Sequence, residues 1–384
     1  MAAKLSALQL FFALTWVVYV IYLPALAAQA GIDKRFVPWI LMMDQAIFIA
    51  CDWAAGLYAD RVANAMKRIG QPMAVATLAS CAAFVALPFV APAAGAAAFL
   101  ALTAFWSATS SALRAPALAL VSRHVPESAN SWIAGVFLLG LGIASGLAPY
   151  LTLTLKGVDP RIPFGLVSLA LALFTVLLAQ AERSYVAKDA RVAAPRAPPS
   201  PARYAAFAVA VLLLAAGFQV HFAVNSAPAW LRVASPAELP WLMPIFWLGF
   251  NLAVLPATLL PRRFGGMRVM AMAAGIGVIA MAPMIVPSSR EALAVAQLVT
   301  GAAWAIALTA AFTAALEAGH PGREGLFTGV LFSVLAVAAF ARVAAVAAGI
   351  PSGLSFAPGL AWFGAALISC GLVMGLAGHG RPNR

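Results

Sequence analysis

Long apolar runs, broken by short clusters of charge, proline or glycine, recur along the chain at close to 20 residues each. Their approximate boundaries are 5–28, 38–59, 73–91, 95–121, 131–155 and 162–181, then 204–227, 240–260, 269–286, 292–317, 326–349 and 358–377. A helix rising 1.5 Å per residue crosses hydrocarbon in about 17 residues or more, so each run predicts one membrane span, numbered here one to twelve. Apolar and polar residues do not alternate within the runs, which argues against barrel strands. The first run, Leu5 to Ala28, is longer than the apolar core of a secretory signal despite Ala25-Leu26-Ala27 near its end. It reads as an uncleaved span.

Composition agrees with the pattern. Hydrophobic residues make up 64% of the chain and charged residues 9%, against about 25% charged in soluble domains. Lipid must therefore solvate most of the surface. The excess of 24 Lys and Arg over 12 Asp and Glu is resolved by placement. With the N-terminus in the cytoplasm, 16 basic residues fall on that side: Lys4, Arg61, Lys67, Arg68 and Arg123, then Arg183, Lys188, Arg191, Arg196, Arg203, Arg262, Arg263, Arg268, Arg323, Arg381 and Arg384. Only Lys34, Arg35, Lys156, Arg161, Arg232 and Arg290 fall outside. The bias orients the chain in a cell inner membrane with both termini cytoplasmic. It is a topology signal, and no nucleic-acid partner is expected. Cys51, Cys81 and Cys370 lie in separate apolar runs without CxxC spacing, so no disulfide, zinc or redox site is expected.

A charged, proline-rich stretch from Glu182 to Arg203 separates spans six and seven. Charge and proline keep it extended and out of lipid. The chain thus divides into a six-helix half at 1–181, a cytoplasmic linker at 182–203 and a second six-helix half at 204–384. The halves echo each other. Trp106 and Trp304 are 198 residues apart, His124 and His320 are 196 apart, and Gly135-Val136 and Gly329-Val330 are 194 apart. Gly56-Leu57-Tyr58-Ala59-Asp60-Arg61 after span two has a counterpart in Pro261-Arg262-Arg263-Phe264-Gly265 after span eight. Repeated halves are common in secondary transporters.

Over nearly its full length the sequence resembles the major facilitator superfamily. The loop after span two carries the resemblance: the family pattern Gly-x-x-x-Asp-Arg-x-Gly-Arg-Arg is matched by Gly56, Asp60 and Arg61. Ala63 and Asn64 replace the next Gly and Arg, and the basic pair arrives late as Lys67-Arg68. Arg114 in span four resembles the family's buried arginine. Gly142, Gly146 and Ala148-Pro149 in span five are a degraded form of the Gly-Pro antiporter pattern. The resemblance implies an all-α membrane protein with twelve transmembrane helices in two pseudo-symmetric six-helix bundles. It also implies alternating access, with spans one, four, seven and ten lining the path and Gly56, Asp60 and Arg61 forming a conformational-switch loop.

Ionisable residues inside the spans need a reason, because each costs roughly 3 kcal/mol at bilayer centre. They are Asp44 and Asp52 in span two, Arg114 in span four and Arg342 in span eleven. Helical rise places Asp52 and Arg114 at one depth, and Asp44 and Arg342 at another, each about 10 Å from a helix end. With the neighbours that the resemblance implies, an Asp52–Arg114 pair is expected within the first half. An Asp44–Arg342 pair is expected across the halves, clasping the outer side when the cavity opens inward. All four are candidates for proton coupling or gating, and static helix packing is the competing reading.

Candidate substrate-cavity residues are Thr15 and Tyr19 in span one and Ser107, Ser110 and Arg114 in span four, where Thr103 continues the stripe. Gln219, His221 and Asn225 in span seven, Asn251 in span eight and Trp304 in span ten complete the set. Ser and Thr can instead bond their own helix carbonyls, Tyr22 can belong to an interfacial belt, and His221 can be a hydrogen-bonded packing residue. Gly142 and Gly146 form a small-residue face suited to close helix approach. Methionines such as Met42, Met43, Met267, Met270, Met281 and Met284 raise copper chemistry, but they show no cluster on cavity spans, so no metal site is expected.

Secondary transport of a small organic solute, with a proton as coupling ion, is the leading functional expectation. Its partners are the small-molecule substrate, the lipid bilayer and protons, acting on a monomer without a cofactor. The alternatives are a copper importer of the same superfamily and a non-transporting receptor or assembly factor on a transporter-like scaffold. A membrane enzyme would need a convergent catalytic set, and no such motif is present, so the chain is not expected to be an enzyme.

Overall fold

The computed structural model describes residues 1–66, 68–185, 200–285, 289–319, 322–349 and 357–379. Lys67, His320, Arg381, Arg384 and the linker from 186 to 199, with Lys188, Asp189, Arg191 and Arg196, lie outside the described residues. Among the described residues there is no strand. Twelve spans form two six-helix bundles.

Span one is Ala2–Gln29 and span two Val37–Met66. Spans three and four share one helical run, Gly70–Ser110, broken where Gly95 takes φ 75°. The sequence places a very short turn at Ala91-Pro92. The break comes slightly later, because the positive φ that reverses the chain suits glycine. Span four is interrupted again at Arg114, whose φ and ψ are both −98°. Pro116 explains this: it lacks an N–H and its ring crowds the carbonyl four residues back. A 3-10 turn at Ser111–Leu113 precedes the break, and helix resumes over Ala115–Ser122. Arg114 thus leaves the helix on a non-helical backbone instead of from a regular face.

Spans five and six are Asn130–Thr154 and Arg161–Tyr185. Span seven starts as Pro201–Phe218, widens to a π-helix over Gln219–Asn225 and ends as Ser226–Trp230. Span eight comprises Pro244–Val254 and Leu259–Phe264, joined by a 3-10 turn at Pro256–Thr258. Span nine is Gly266–Ala280 with Ala282–Ile285, span ten Arg290–Gly319, span eleven Glu324–Ala347 and span twelve Ala357–His379.

In the first half, span one packs on spans five and six, and span three on span six; in the second, span twelve packs on spans seven and nine, and span ten on spans eight and nine. Across the halves, span two lies along span eleven, and span five meets spans eight and ten. The face holding the start of span one and the ends of spans two and four is called the terminal face below; the opposite one is the far face.

Backbone ends that lipid would leave orphaned are capped. Buried Glu182, near the end of span six, accepts the N–H groups of Ile69 and Gly70 at 2.9 and 2.8 Å, where span three begins. A carboxylate there meets both free donors and the positive end of the helix dipole. Tyr22 donates to the carbonyls of Leu155 and Val158 at 3.0 and 3.1 Å, next to the end of span five. Its role is capping, in addition to any interfacial one.

Candidate functional site: buried charges between and within the bundles

At the terminal face the two halves are held together by Asp60, near the end of span two. Its Oδ1 accepts the N–H of Gly325 at 2.9 Å and its Oδ2 accepts that of Leu326 at 2.7 Å. These amides belong to the first turn of span eleven, whose free donors and dipole favour a carboxylate. Arg123 donates to Asp60 at 2.7 Å and lies 3.2 Å from Glu324. Close approach is possible because Gly56 and Gly325 face each other; a Cβ on either would strike the other's carbonyl oxygen. Asn64, which stands where the family pattern has Arg, reaches the Gly322 carbonyl at 3.4 Å. Arg61 points elsewhere: it is exposed and bonds no described residue, since one helical position rotates it about 100° from Asp60.

Deeper in the first half, Arg114 Nη1 lies 2.7 Å from Asp52 Oδ2. The pair expected from matching depth is present. Asp52 is fully buried and the Arg114 side chain 18% exposed. The guanidinium also sits over Phe48 at 4.0 Å, with Phe332 of span eleven 5.9 Å away, so it stands close to the seam between the halves.

Asp44 is fully buried and forms no salt bridge among the described residues. Its two oxygens accept the hydroxyls of Tyr19 at 2.8 Å and Ser107 at 2.7 Å. Both donors belong to the same half. Tyr19 packs against Trp106 with ring centroids 4.7 Å apart, and Trp16 closes in at 5.5 Å.

The Asp44–Arg342 pair expected from depth is not formed. Arg342 instead donates Nε–H to the Gln219 side chain at 2.8 Å. Depth fixes a residue's level along a helix but not its bearing, and spans two and eleven make their close contacts nearer the terminal face. Ser333 bonds the Ile49 carbonyl at 2.7 Å, and a Cβ on Gly329 would meet the Asp52 carbonyl at 2.6 Å.

His221 is fully buried and lies in the π-helical segment, its Nε2 3.2 Å from Gln297 Oε1 of span ten. Gln297 in turn donates to Ser226 at 2.8 Å and approaches Met284 Sδ at 3.6 Å. The other candidates disperse. Thr15, Thr103 and Ser110 turn their hydroxyls onto carbonyls of their own helices at Phe12, Phe99 and Ser107, at 2.6, 2.8 and 2.8 Å. Asn251 bonds the Trp247 carbonyl at 2.8 Å and faces Gly142 across the halves. Trp304 stacks on Phe218 at 4.6 Å, and Asn225 is buried. The cavity candidates thus fall into separate hydrogen-bonded groups. Without water, a hydroxyl takes the nearest carbonyl.

Sequence reasoning did not assign Arg123, Glu324, Glu182 or Gln297 to these groups. Arg123 and Glu324 flank the half-repeat landmarks, which is the signal that could have found them. Among the described residues no three His, Cys, Asp or Glu side chains converge as metal ligands. A groove of about 530 Å³ lined by Ile276, Ile279, Pro283, Val295 and Val299 lies between spans nine and ten, with Glu291 at its rim.

Two repeated bundles, joined by a seam of buried charge, define a polytopic membrane protein with a transporter fold. A family model for the Major Facilitator Superfamily matches residues 5–342; the chain belongs to that superfamily. Its structure is similar to that of the human organic anion transporter MFSD10 (TETRAN), with TM-score 0.75 and 16% identity over 97% of this chain and 98% of that one. The E. coli fucose:proton symporter FucP gives TM-score 0.68 and 15% identity, covering 97% and 98%. A bacterial homologue of the iron transporter ferroportin in its outward-facing state gives 0.72 and 14%, covering 97% and 99%. No curated protein sequence matches the chain.

Proposed function

We propose that this chain is a secondary active transporter that moves a small organic solute across the inner membrane by alternating access, with a proton as coupling ion. On this reading the terminal face is cytoplasmic, residues 1–181 and 204–384 are the moving bundles, residues 182–203 connect them, and a monomer suffices. Asp60, Arg123 and the start of span eleven keep the cytoplasmic side shut while the far side opens.

Asp44 carries the coupling argument. It is a buried carboxylate with no cationic partner among the described residues, and the hydroxyls that hold it belong to its own half. Its protonation state can therefore change without tearing a salt bridge across the seam. Asp52, by contrast, is committed to Arg114. When the far side closes, Arg342 and Asp44 would approach, so loading one and protonating the other bias the same movement. By their names, the proteins of similar fold are an organic anion transporter, a fucose:proton symporter and a bacterial homologue of an iron transporter. Their cargoes do not agree, so they do not choose among substrates.

The test is uptake into proteoliposomes with and without an imposed pH gradient, comparing the natural protein with Asp44→Asn. Transport driven by the gradient in the natural protein and indifferent to it in Asp44→Asn is expected. A variant that still accumulates solute against its gradient, driven by pH, would remove Asp44 from the coupling role.

A further inference from the structure

The strongest unexplained group in the membrane interior is Arg342. Span eleven runs from the terminal to the far face, and helical side chains lean toward their own N-terminus. Arg342 therefore leans inward, away from the near membrane surface. Its partner Gln219 fixes the depth: it lies eleven residues before Trp230, about 16 Å inside the end of span seven. A guanidinium held at that level by a neutral carboxamide is costly and marks a functional position.

The geometry leaves one edge of this guanidinium free. Nε is engaged at 2.8 Å by Gln219, whereas neither Nη atom bonds a described residue. No carboxylate lies within salt-bridge distance among the described residues; the two acids inside span two are taken, Asp44 by Tyr19 and Ser107 and Asp52 by Arg114. Neither Nη atom is among the buried, unpartnered atoms of the structure. The free edge is thus accessible, and a planar pair of N–H donors suits a carboxylate, sulfonate or phosphate group. The rings of Phe218 and Phe222, on the same turns of span seven, stack on each other at 5.8 Å and pack against Phe246 and Trp247 of span eight, on another face from Gln219.

We infer that Arg342, oriented by Gln219, is the anion-binding residue of the transport path, and that the substrate is an organic anion bearing a carboxylate, sulfonate or phosphate group. The inference rests on the transport reading and names the substrate class for it. Arg114, the more obvious candidate in the sequence, is already neutralised.

Binding and transport are measured separately on the full-length protein. Thermal stabilisation of purified protein is followed with benzoate, benzenesulfonate and phenyl phosphate, and with benzylammonium and benzyl alcohol as matched cationic and neutral probes. At least one anion should stabilise the protein while the cation and alcohol do not. Arg342→Gln should weaken that binding tenfold or more, and Arg342→Lys should retain part of it. Gln219→Glu supplies a competing carboxylate beside the guanidinium and should abolish anion binding in a protein that still folds, which covers the case of an unstable Arg342→Gln. Stabilisation by the amine or alcohol equal to that by the anions overturns the assignment. So does anion binding unchanged in Arg342→Gln, or no stabilisation by any of the three anions. Uptake of the same probes into proteoliposomes separates the two readings. An anion that binds through Arg342 but is never moved defeats transport and leaves the site standing. Movement of the amine or alcohol, indifferent to residue 342, does the reverse.

Discussion

Asp44 and Asp60 are two buried carboxylates on one helix, 16 residues or about 24 Å apart, and they are held in opposite ways. Asp60 takes its hydrogen bonds from the other half, through main-chain amides of span eleven, and adds Arg123 from its own. Asp44 takes both of its bonds from spans one and four, inside its own half. The same side chain therefore ties the bundles together at one end of span two and makes no tie between them at the other. Joining two bodies requires a partner on the far body; sensing a proton requires independence from it.

Substitution at Asp60 should break this contrast most strongly. Asp60→Ala strips span eleven of its capping acceptor and leaves Arg123 and two amides without their partner, a loss of about 3 kcal/mol in the terminal-face contact. Distances between spin labels at Lys34 and Leu231, on the far face, should shift to shorter values as the far side closes; an unchanged distribution would deny Asp60 its locking role. Asp52→Ala is next, because it leaves the partly buried Arg114 without a counter-charge. A loss of up to about 3 kcal/mol of stability is expected, read from thermal unfolding, while Asp52→Ala with Arg114→Met should recover much of it. Glu182→Gln keeps the shape but weakens a charge-assisted cap, costing about 1–2 kcal/mol; it acts within one half, so label distances across the seam should not move. Smallest is Tyr19→Phe, about 1 kcal/mol for one hydroxyl, with the pH dependence of transport as its sensitive readout. If Tyr19→Phe left that dependence untouched, the Asp44 environment would not be tuned by its neighbours.

Much of this arrangement could be read before any coordinates. Continuous apolar runs can satisfy their backbone only as helices in lipid, so the spans and the two halves are legible. Constant helical rise makes depth legible too, and it placed Asp52 opposite Arg114. Asp44 and Arg342 share a depth but not a partner, because depth fixes a residue's level along its helix and not its bearing. Asp60 matched a family pattern, but its partners are amides of Gly325 and Leu326, and main-chain donors leave no residue signature. The π-helical turn at Gln219–Asn225 was invisible for a related reason: Gln-Val-His-Phe-Ala-Val-Asn carries no proline or glycine to mark it. Gln219 there faces span eleven and His221 faces span ten, as two positions about 200° apart on a helix would.

Because Asp60 grips amide groups, the tolerance of the grip to change is lopsided. On the acceptor side only aspartate has the reach and charge to serve both amides. On the donor side residue 326 could drift among many side chains and still present the same N–H, while proline alone would delete it. Variants at residue 326 could therefore be diverse without loosening the grip, whereas Gly325 beside it has no room for a side chain against Gly56.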